Sequence, residues 1–356
     1  MTVSNEVAII TDTHWGARGD NQVVAAHIIR FYDEVFFPEL DKLGIKRILH
    51  LGDIMDRRKF VSYLTIKQFR EHFIKPIIQR GIRLDVVIGN HDTFYKNTNE
   101  VNCMEQLLDG INYSEIYWYT KPTEIDLNGL PLLLIPWVCP ENVAETSEAL
   151  KNTTCTMVAG HLEFAGFEMY RGSVSDHGFS TEEYQKFDAV LTGHYHHKSS
   201  RGNVHYLGSP YEMTWSDYDD DRGFHIIDPE KKHLRYIKNP LNLFHKLFYD
   251  DSGKQSSYIN EFDVTKLRGC FVKLVVRNKT NPFWFDILAN KLAKAGLADL
   301  QIVDDHMNVD LSEDDVEALE DTQETIVKYA SQSPYKDTKA LERLLSSLYT
   351  VASQME

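Results

Sequence analysis

Seven side chains with nitrogen or oxygen donors fall in five short polar clusters. They are Asp12 and His14 in "TDTHWG", Asp53 in "GDIMDRRK", Asn90 in "GNHD", His161 in "GHLEF", and His194 and His196 in "GHYHH". Each cluster alone is weak: Asp-x-His suits a turn with a surface histidine, and "GDIMDR" suits a capped turn with a salt bridge. His194 and His196 say more, because residues two apart on an extended segment project the same way. Asn90 and His91 follow an apolar run directly and need a partner if buried. Together, two aspartates, one asparagine and four histidines exceed what one mononuclear metal site requires. They suit two sites that share a bridging carboxylate. Burying so many ionisable groups without cations would be costly.

Each cluster ends a short aliphatic or β-branched run: "EVAII", "RILHL", "LDVVI", "TCTMVA" and "DAVLT". Runs of this kind predict strands buried on both faces. Helical patterns lie between them. In "NQVVAAHIIRFYDEVFFPEL", Val24, Ile28, Phe31 and Val35 share one face, and "SYLTIKQFREHFIKPIIQRG" stops at Gly81 with a kink expected at Pro76. "STEEYQKF" opens with Ser180 and Glu183 at capping-box spacing. Strands alternating with helices predict an α/β sandwich, in which ligands collect at the carboxyl ends of the strands. A hairpin, "GFHIIDPEKKHLRYIKNP", is expected to finish this core. "FHKLFYDDSGKQSSY" reads as a linker, and a strand–helix–strand unit and an acidic, helical tail follow.

The chain has 356 residues, 42% hydrophobic and 12% aromatic, which points to a globular protein with more than one domain. No amino-terminal apolar stretch resembles a secretory leader, and "LPLLLIPWVC", broken by Pro131 and Pro136, is too short to span a bilayer. A cytoplasmic protein without a membrane association is the expectation. Cys103, Cys139, Cys155 and Cys270 form no C-x-x-C pair, so zinc ribbons and a disulfide framework are disfavoured and reduced thiols expected. No G-x-x-x-x-G-K-[ST] occurs, so any ATP dependence must come from another polypeptide. A net charge of −15 argues against nucleic acid, until local charge is considered.

The order D-x-H, G-D-x-x-D-R, G-N-H-D, G-H, G-H-x-H resembles the calcineurin-like metallophosphoesterases over roughly residues 1–240. The resemblance implies an αββα sandwich of two mixed sheets with flanking helices, plus a small α+β capping domain (241–310) and a helical C-terminal tail (311–356). It implies that Asp12, His14 and His196 hold one divalent ion, that Asn90, His161 and His194 hold a second, and that Asp53 bridges them. His91 would be the catalytic acid, with Asp56 orienting it, while Asp92 is expected to cap or orient and to hold no metal itself. Two such ions, about 3.5–4 Å apart, clamp a phosphate and bring the pKa of a bound water to roughly 7. The mixed donor set suits Mn, Fe or Zn better than Mg or Ca, and the resemblance favours Mn2+.

Within that family the chain is most similar to the nuclease subunit of SbcCD-type recombination complexes, including phage versions. "VHYLGSP" follows the last histidine cluster, a small α+β unit follows the core, and a helical tail ends the chain. Implied are DNA as substrate, an SbcC-type ABC/SMC-like coiled-coil ATPase as partner, a homodimer within the complex, and work in DNA end processing and recombination. A phosphatase or cyclic-nucleotide phosphodiesterase is the alternative on the same site. "DRRK" and the acidic "WSDYDDDRG" depart from cellular members, and "DYDDD" reads as a solvated loop. Arg57, Arg58 and Lys59, with Lys198 and Arg201, supply local positive charge for phosphates beside the cleaved one. In the tail, Leu341, Leu344, Leu345, Leu348 and Tyr349 form one apolar stripe, expected to bind the partner ATPase.

Overall fold

The computed structural model describes residues 3–108, 114–170, 173–175 and 177–304, with 341, 344 and 345. The chain divides into two units. One comprises Met1–His245, Val264–Val272 and Lys291–Asp299, and the other Lys246–Asp263, Lys273–Asn290 and Leu300–Glu356.

The first unit holds two mixed six-stranded sheets. Strands β1 (Val7–Ile10), β2 (Arg47–His50), β3 (Arg83–Val87) and β4 (Ile116–Tyr119) run parallel. Next come β5 (Thr123–Leu127), β6 (Leu130–Ile135), β7 (Met157–His161), β8 (Glu168–Tyr170), β9 (Ser173–Val174) and β10 (Ala189–Gly193). The last are β11 (Ser199–Arg201), β12 (Val204–Tyr206), β13 (Gly223–Asp228) and β14 (His233–Lys238). The sheet orders are β14-β13-β1-β2-β3-β4 and β11-β12-β10-β7-β6-β5. In the second sheet β12, β10, β7 and β6 are parallel, with antiparallel β11 and β5 at its edges.

Strand alternation separates three apolar clusters. Val7, Ile9, Leu49 and Val87 meet Leu132, Leu134, Ala159 and Leu191 between the sheets. Ala8, Ile10, Ile48 and Val86 pack outward on Val24, Ile28, Phe31 and Phe73, and Val158 and Val190 pack outward on Leu150 and Phe187. The result is four layers, helix–sheet–sheet–helix, as expected. The five runs that precede the polar clusters are β1, β2, β3, β7 and β10, and all belong to the parallel parts of the sheets.

Both long helices differ from a simple amphipathic rod. Helix Gln22–Phe31 passes through a π-turn at Tyr32–Phe36 into Phe37–Leu43, and Tyr63–Phe69 passes through one at Arg70–Ile74 into Lys75–Gln79. Each π-turn lies just before a proline, Pro38 or Pro76. Proline lacks an N–H and its ring collides with the carbonyl four residues earlier, so widening one turn relieves the clash. The expected kink at Pro76 is therefore a π-turn. Tyr32 and Phe73, one from each turn, pack with centroids 5.0 Å apart.

Three other expectations need correction. "STEEYQKF" forms only a 3-10 turn at Glu182–Tyr184 without a side-chain cap, Ser180 Oγ accepting from Glu182 N at 3.2 Å. The supposed linker contains a strand, β15 (Phe244–Asp250), which joins β16 (Phe271–Asn278) and β17 (Asp299–Asp304) in a three-stranded sheet. "DYDDD" is partly internal: Asp217 is buried and binds the buried Arg222, as does Asp220. The helix expected in "NPFWFDILANKLAKAG" spans Pro282–Ala293. All four cysteines are free thiols. Among the described residues no helix is long and apolar enough to cross a membrane.

Candidate metal centre

All five polar clusters sit at carboxyl ends of parallel strands, where the two sheets meet. The first sheet delivers Asp12, His14, Asp53, Asn90 and His91, and the second delivers His161, His194 and His196. Asp12, His14 and His196 bring one donor atom each within 4.8 Å of one another, and so do Asp53, His161 and His194. Asp53 Oδ2 lies between the groups, 3.8 Å from His14 Nε2 and 3.4 Å from His161 Nε2. Asn90 Oδ1 is 2.9 Å from His161 Nε2 and 2.9 Å from His194 Nδ1.

Close approach of the strand ends dictates two of the glycines. A methyl group on Gly89 would overlap Asp53 N, and one on Gly193 would overlap Thr11 Oγ1.

The donors face one another in a way protein groups alone do not satisfy. His161 Nδ1 donates to Leu51 O at 2.7 Å, which leaves Nε2 facing the Asn90 and Asp53 oxygens. His14 Nε2 and His196 Nε2 stand 3.0 Å apart, a separation that only a shared proton or a shared cation permits. Burial, with His196 nearby, holds His14 well below its ordinary pKa; burial and Arg222 bring His196 down to about 3. Burial also lowers His194. Burial opposes charge on His161, but Asp53 and Asp12 override it and raise its pKa to about 9. Burial would raise Asp53, yet His161 and His91 hold it well below the usual carboxylate range. His14, His194 and His196 are thus neutral beside an ionised Asp53, as a divalent cation requires, whereas His161 carries a proton that a cation would displace. The residues fit two divalent metals.

His91 stands beside the donors, its ring edge-on to His14 at 5.0 Å. Its Nδ1 donates to the main-chain oxygen of Asp56 at 2.5 Å, so Asp56 holds the ring through its backbone. The Asp56 carboxylate instead lies 3.7 Å from His14 Nδ1, and burial pushes its pKa up to about 6. The basic residues are dispersed. Arg57 lies over the Phe60 ring at 4.9 Å, Lys59 is exposed, and Lys198 covers the Tyr236 ring at 3.5 Å. Arg201 is exposed on β11, its guanidinium beside Gly166. Arg58 is half-buried in the field of Asp53, and its Nη1 is buried without a hydrogen-bond partner. In the tail, Leu341, Leu344 and Leu345 are helical, with Leu344 57% exposed; Leu348 and Tyr349 lie outside the described residues.

Several supporting residues, Asp92 apart, escaped the sequence reading. Asp92 accepts from four backbone N–H groups: Asp53 N and Ile54 N at 2.8 Å, Gly89 N at 2.9 Å and Met55 N at 3.2 Å. His50 accepts from Gly52 N at 3.2 Å and meets Thr13 Oγ1 at 3.0 Å. Arg222 donates to His196 O, to Ser209 Oγ at 2.7 Å and to Asp217 and Asp220. Trp137 packs its ring 5.3 Å from His194. The third histidine of "GHYHH", His197, pairs with Asp220 at 2.8 Å and Glu168 at 3.4 Å. The aspartate of "GNHD" gave a signal, because a buried carboxylate after a strand needs donors. Arg222 gave none.

Residues 6–198 match the profile of the calcineurin-like phosphoesterases. Exonuclease subunit 1 of Enterobacteria phage T4 is 30% identical over 345 residues, which is 96% of this chain and 98% of the phage protein. This chain is a calcineurin-like phosphoesterase. The SbcD component of the nuclease SbcCD from Staphylococcus epidermidis is 20% identical over 252 residues, 52% of this chain and 65% of that one. Among solved structures, an archaeal phosphodiesterase is similar at 17% identity and a TM-score of 0.34, over 66% of this chain and 99% of the other. As a calcineurin-like phosphoesterase the chain is a metal-dependent hydrolase of phosphoesters, of a family that binds two divalent ions.

Proposed function

We propose that this phosphoesterase is a DNA nuclease subunit with exo- and endonuclease action, working with an SbcC-type coiled-coil ATPase. The observation that carries the reading is the position of Asp53 Oδ2 between the two donor groups. It occurs in a chain similar over 96% of its length to a phage exonuclease subunit. Asp12, His14 and His196 would hold one cation, Asn90, His161 and His194 the other, with Asp53 shared and Mn2+ the favoured metal. When bound, the pair supplies Lewis acidity to the phosphate and an acidified water. His91, fixed by its bond to Asp56 O, offers its other nitrogen to the leaving oxygen. Arg58 Nη1 awaits an anionic acceptor and serves a phosphate oxygen, while Arg57, Lys59 and Arg201 contact flanking phosphates. Residues 1–240 carry hydrolysis, 241–310 cap the substrate, and 311–356 bind the ATPase in a complex built on a homodimer.

The test is manganese-dependent nucleotide release from labelled duplex DNA, with p-nitrophenyl phosphate monoesters and diesters in parallel. Release from DNA is expected. Monoester hydrolysis with intact DNA would identify a phosphatase instead.

A further inference from the structure

The loop after His91 is built inside out. It is closed by the Thr93–Asn102 bridge and by Phe94 N donating to Val101 O at 2.9 Å. Its buried side chains are polar: Thr93, Asn99 and Asn102 are 0%, 3% and 2% exposed. Asn99 Nδ2 donates to Trp137 O at 2.9 Å and Thr120 O at 3.3 Å, and Asn102 Oδ1 accepts from Glu105 N at 3.0 Å. The side chains turned outward include two aromatics. Phe94 and Tyr95 are 39% and 50% exposed, their rings edge to face at 4.8 Å. Burying amides while displaying adjacent rings reverses the usual order, and anchored rings left in water mark a contact surface.

What the surface contacts follows from its root. The His91–Asp56 hydrogen bond joins this loop to the one that carries Arg57, Arg58 and Lys59. Exposed Lys96 follows Tyr95 directly. Cations suited to phosphates thus leave His91 along one loop, and flat apolar rings leave it along the other. Phosphate and base are the two halves of a nucleotide.

We propose that Phe94 and Tyr95 form a stacking platform for an unpaired base beside the scissile phosphate. The enzyme then prefers single strands and splayed ends to closed duplex. Rings stack on the π-face of a base, which a continuous duplex keeps covered by its neighbours. The proposal rests on the nuclease reading and adds to it the strandedness of the substrate. A protein partner on these rings is the competing occupant, but the rings lie three and four residues from His91 and directly before the exposed Lys96, which favours a nucleotide.

The experiment uses the full-length, manganese-loaded protein and its Phe94→Ala/Tyr95→Ala double variant. Substrates are a single-stranded oligonucleotide, the same strand with abasic residues on both sides of the cleaved bond, and a blunt duplex. The double variant is expected to raise KM on the base-bearing strand by about 5–150-fold, the range that base–aromatic stacking spans. Wild type should lose a similar factor on the abasic strand, where the variant loses little more. Phe94→Tyr/Tyr95→Phe should restore the wild-type KM. Equal losses on base-bearing and abasic strands, or none on either, would overturn the platform. So would unchanged oligonucleotide kinetics with weakened binding of an ATPase subunit. If wild type hydrolyses bis(p-nitrophenyl) phosphate but no oligonucleotide, the nuclease reading itself falls.

Discussion

Asp92 is the sharpest test of how the centre is held. Its carboxylate is 1% exposed and accepts four backbone N–H groups, two on each oxygen. Cys103 Sγ adds a weaker contact at 3.3 Å. Burial and the Asp53 carboxylate push Asp92 up in pKa, and the N–H donors pull the other way. Asp92→Asn keeps the volume but turns an NH2 group toward one pair of donors. Whichever way the amide lies, two buried N–H groups lose their acceptor. At about 1–3 kcal/mol for each unsatisfied donor, the cost is about 2–6 kcal/mol. That is a large part of a typical stability of about 5–15 kcal/mol. If the amide faces Asp53 N and Gly89 N, the bridging aspartate also loses the bond that sets its backbone. Urea unfolding should therefore shift to lower denaturant, and mass spectrometry should find less metal retained. A variant within about 0.5 kcal/mol of wild type, with full metal content, would refute the clamp.

Three further outcomes are expected. Asp53→Ala should lose both metals and turnover, whereas His91→Ala should keep both metals and lose about 10²–10⁴-fold in rate, the span of general acid catalysis; a metal-free His91→Ala protein would sink that assignment. Replacing Arg57, Arg58 and Lys59 together by alanine should weaken DNA binding and flatten its salt dependence by about one unit of slope for each phosphate no longer bound, and an unchanged salt series would reduce the loop to solvated surface. Deleting residues 334–356 should abolish association with an SbcC-type ATPase while metal content and basal nuclease activity persist; a collapsed thermal transition would instead assign the apolar stripe to the protein's own core.

The strands that carry the centre were legible because they are apolar throughout and each ends in a polar cluster. Strands β4 to β6 were harder to see. In "IYWY" no side chain is polar enough to give a period, and "LPLLLI" carries a proline that strands usually exclude. The β5–β6 hairpin, which the sequence reading passed over, turns at Asn128-Gly129, both at positive φ, a two-residue turn of the kind that pair favours. The π-turns lie in helices whose apolar spacing predicts uninterrupted rods, and only Pro38 and Pro76 hint at them. The "DYDDD" misreading has a different cause. Charge runs are usually solvated, and nothing local says that Arg222 is buried and draws Asp217 and Asp220 inward.

Donor types and backbone shape in this centre have a common origin. Asp12, His14, Asp53 and His194 all adopt positive φ, at 52°, 40°, 56° and 89°. Left-handed backbone turns the chain sharply at the end of a strand, which lets a donor face the seam between the sheets. Aspartate and histidine are among the residues that tolerate this region best, and they are also the ones that bind divalent ions. Such backbone still costs of order 1–3 kcal/mol per residue and persists only where the surroundings over-determine it. Here the surroundings are largely the other members of the set. His14 N donates to Asp53 O at 3.0 Å, and Asp12 N donates to Gly52 O at 3.0 Å. His194 N donates to the Asp12 carboxylate at 3.1 Å, and His91 N to Asp53 Oδ1 at 2.8 Å. Asp92 fixes Asp53 from behind, as Arg222 and Ser209 fix the carbonyl of His196. Each donor is therefore held partly by the backbone of the next. Losses from neighbouring substitutions should not add, because removing one support already frees the residue that the next would have held.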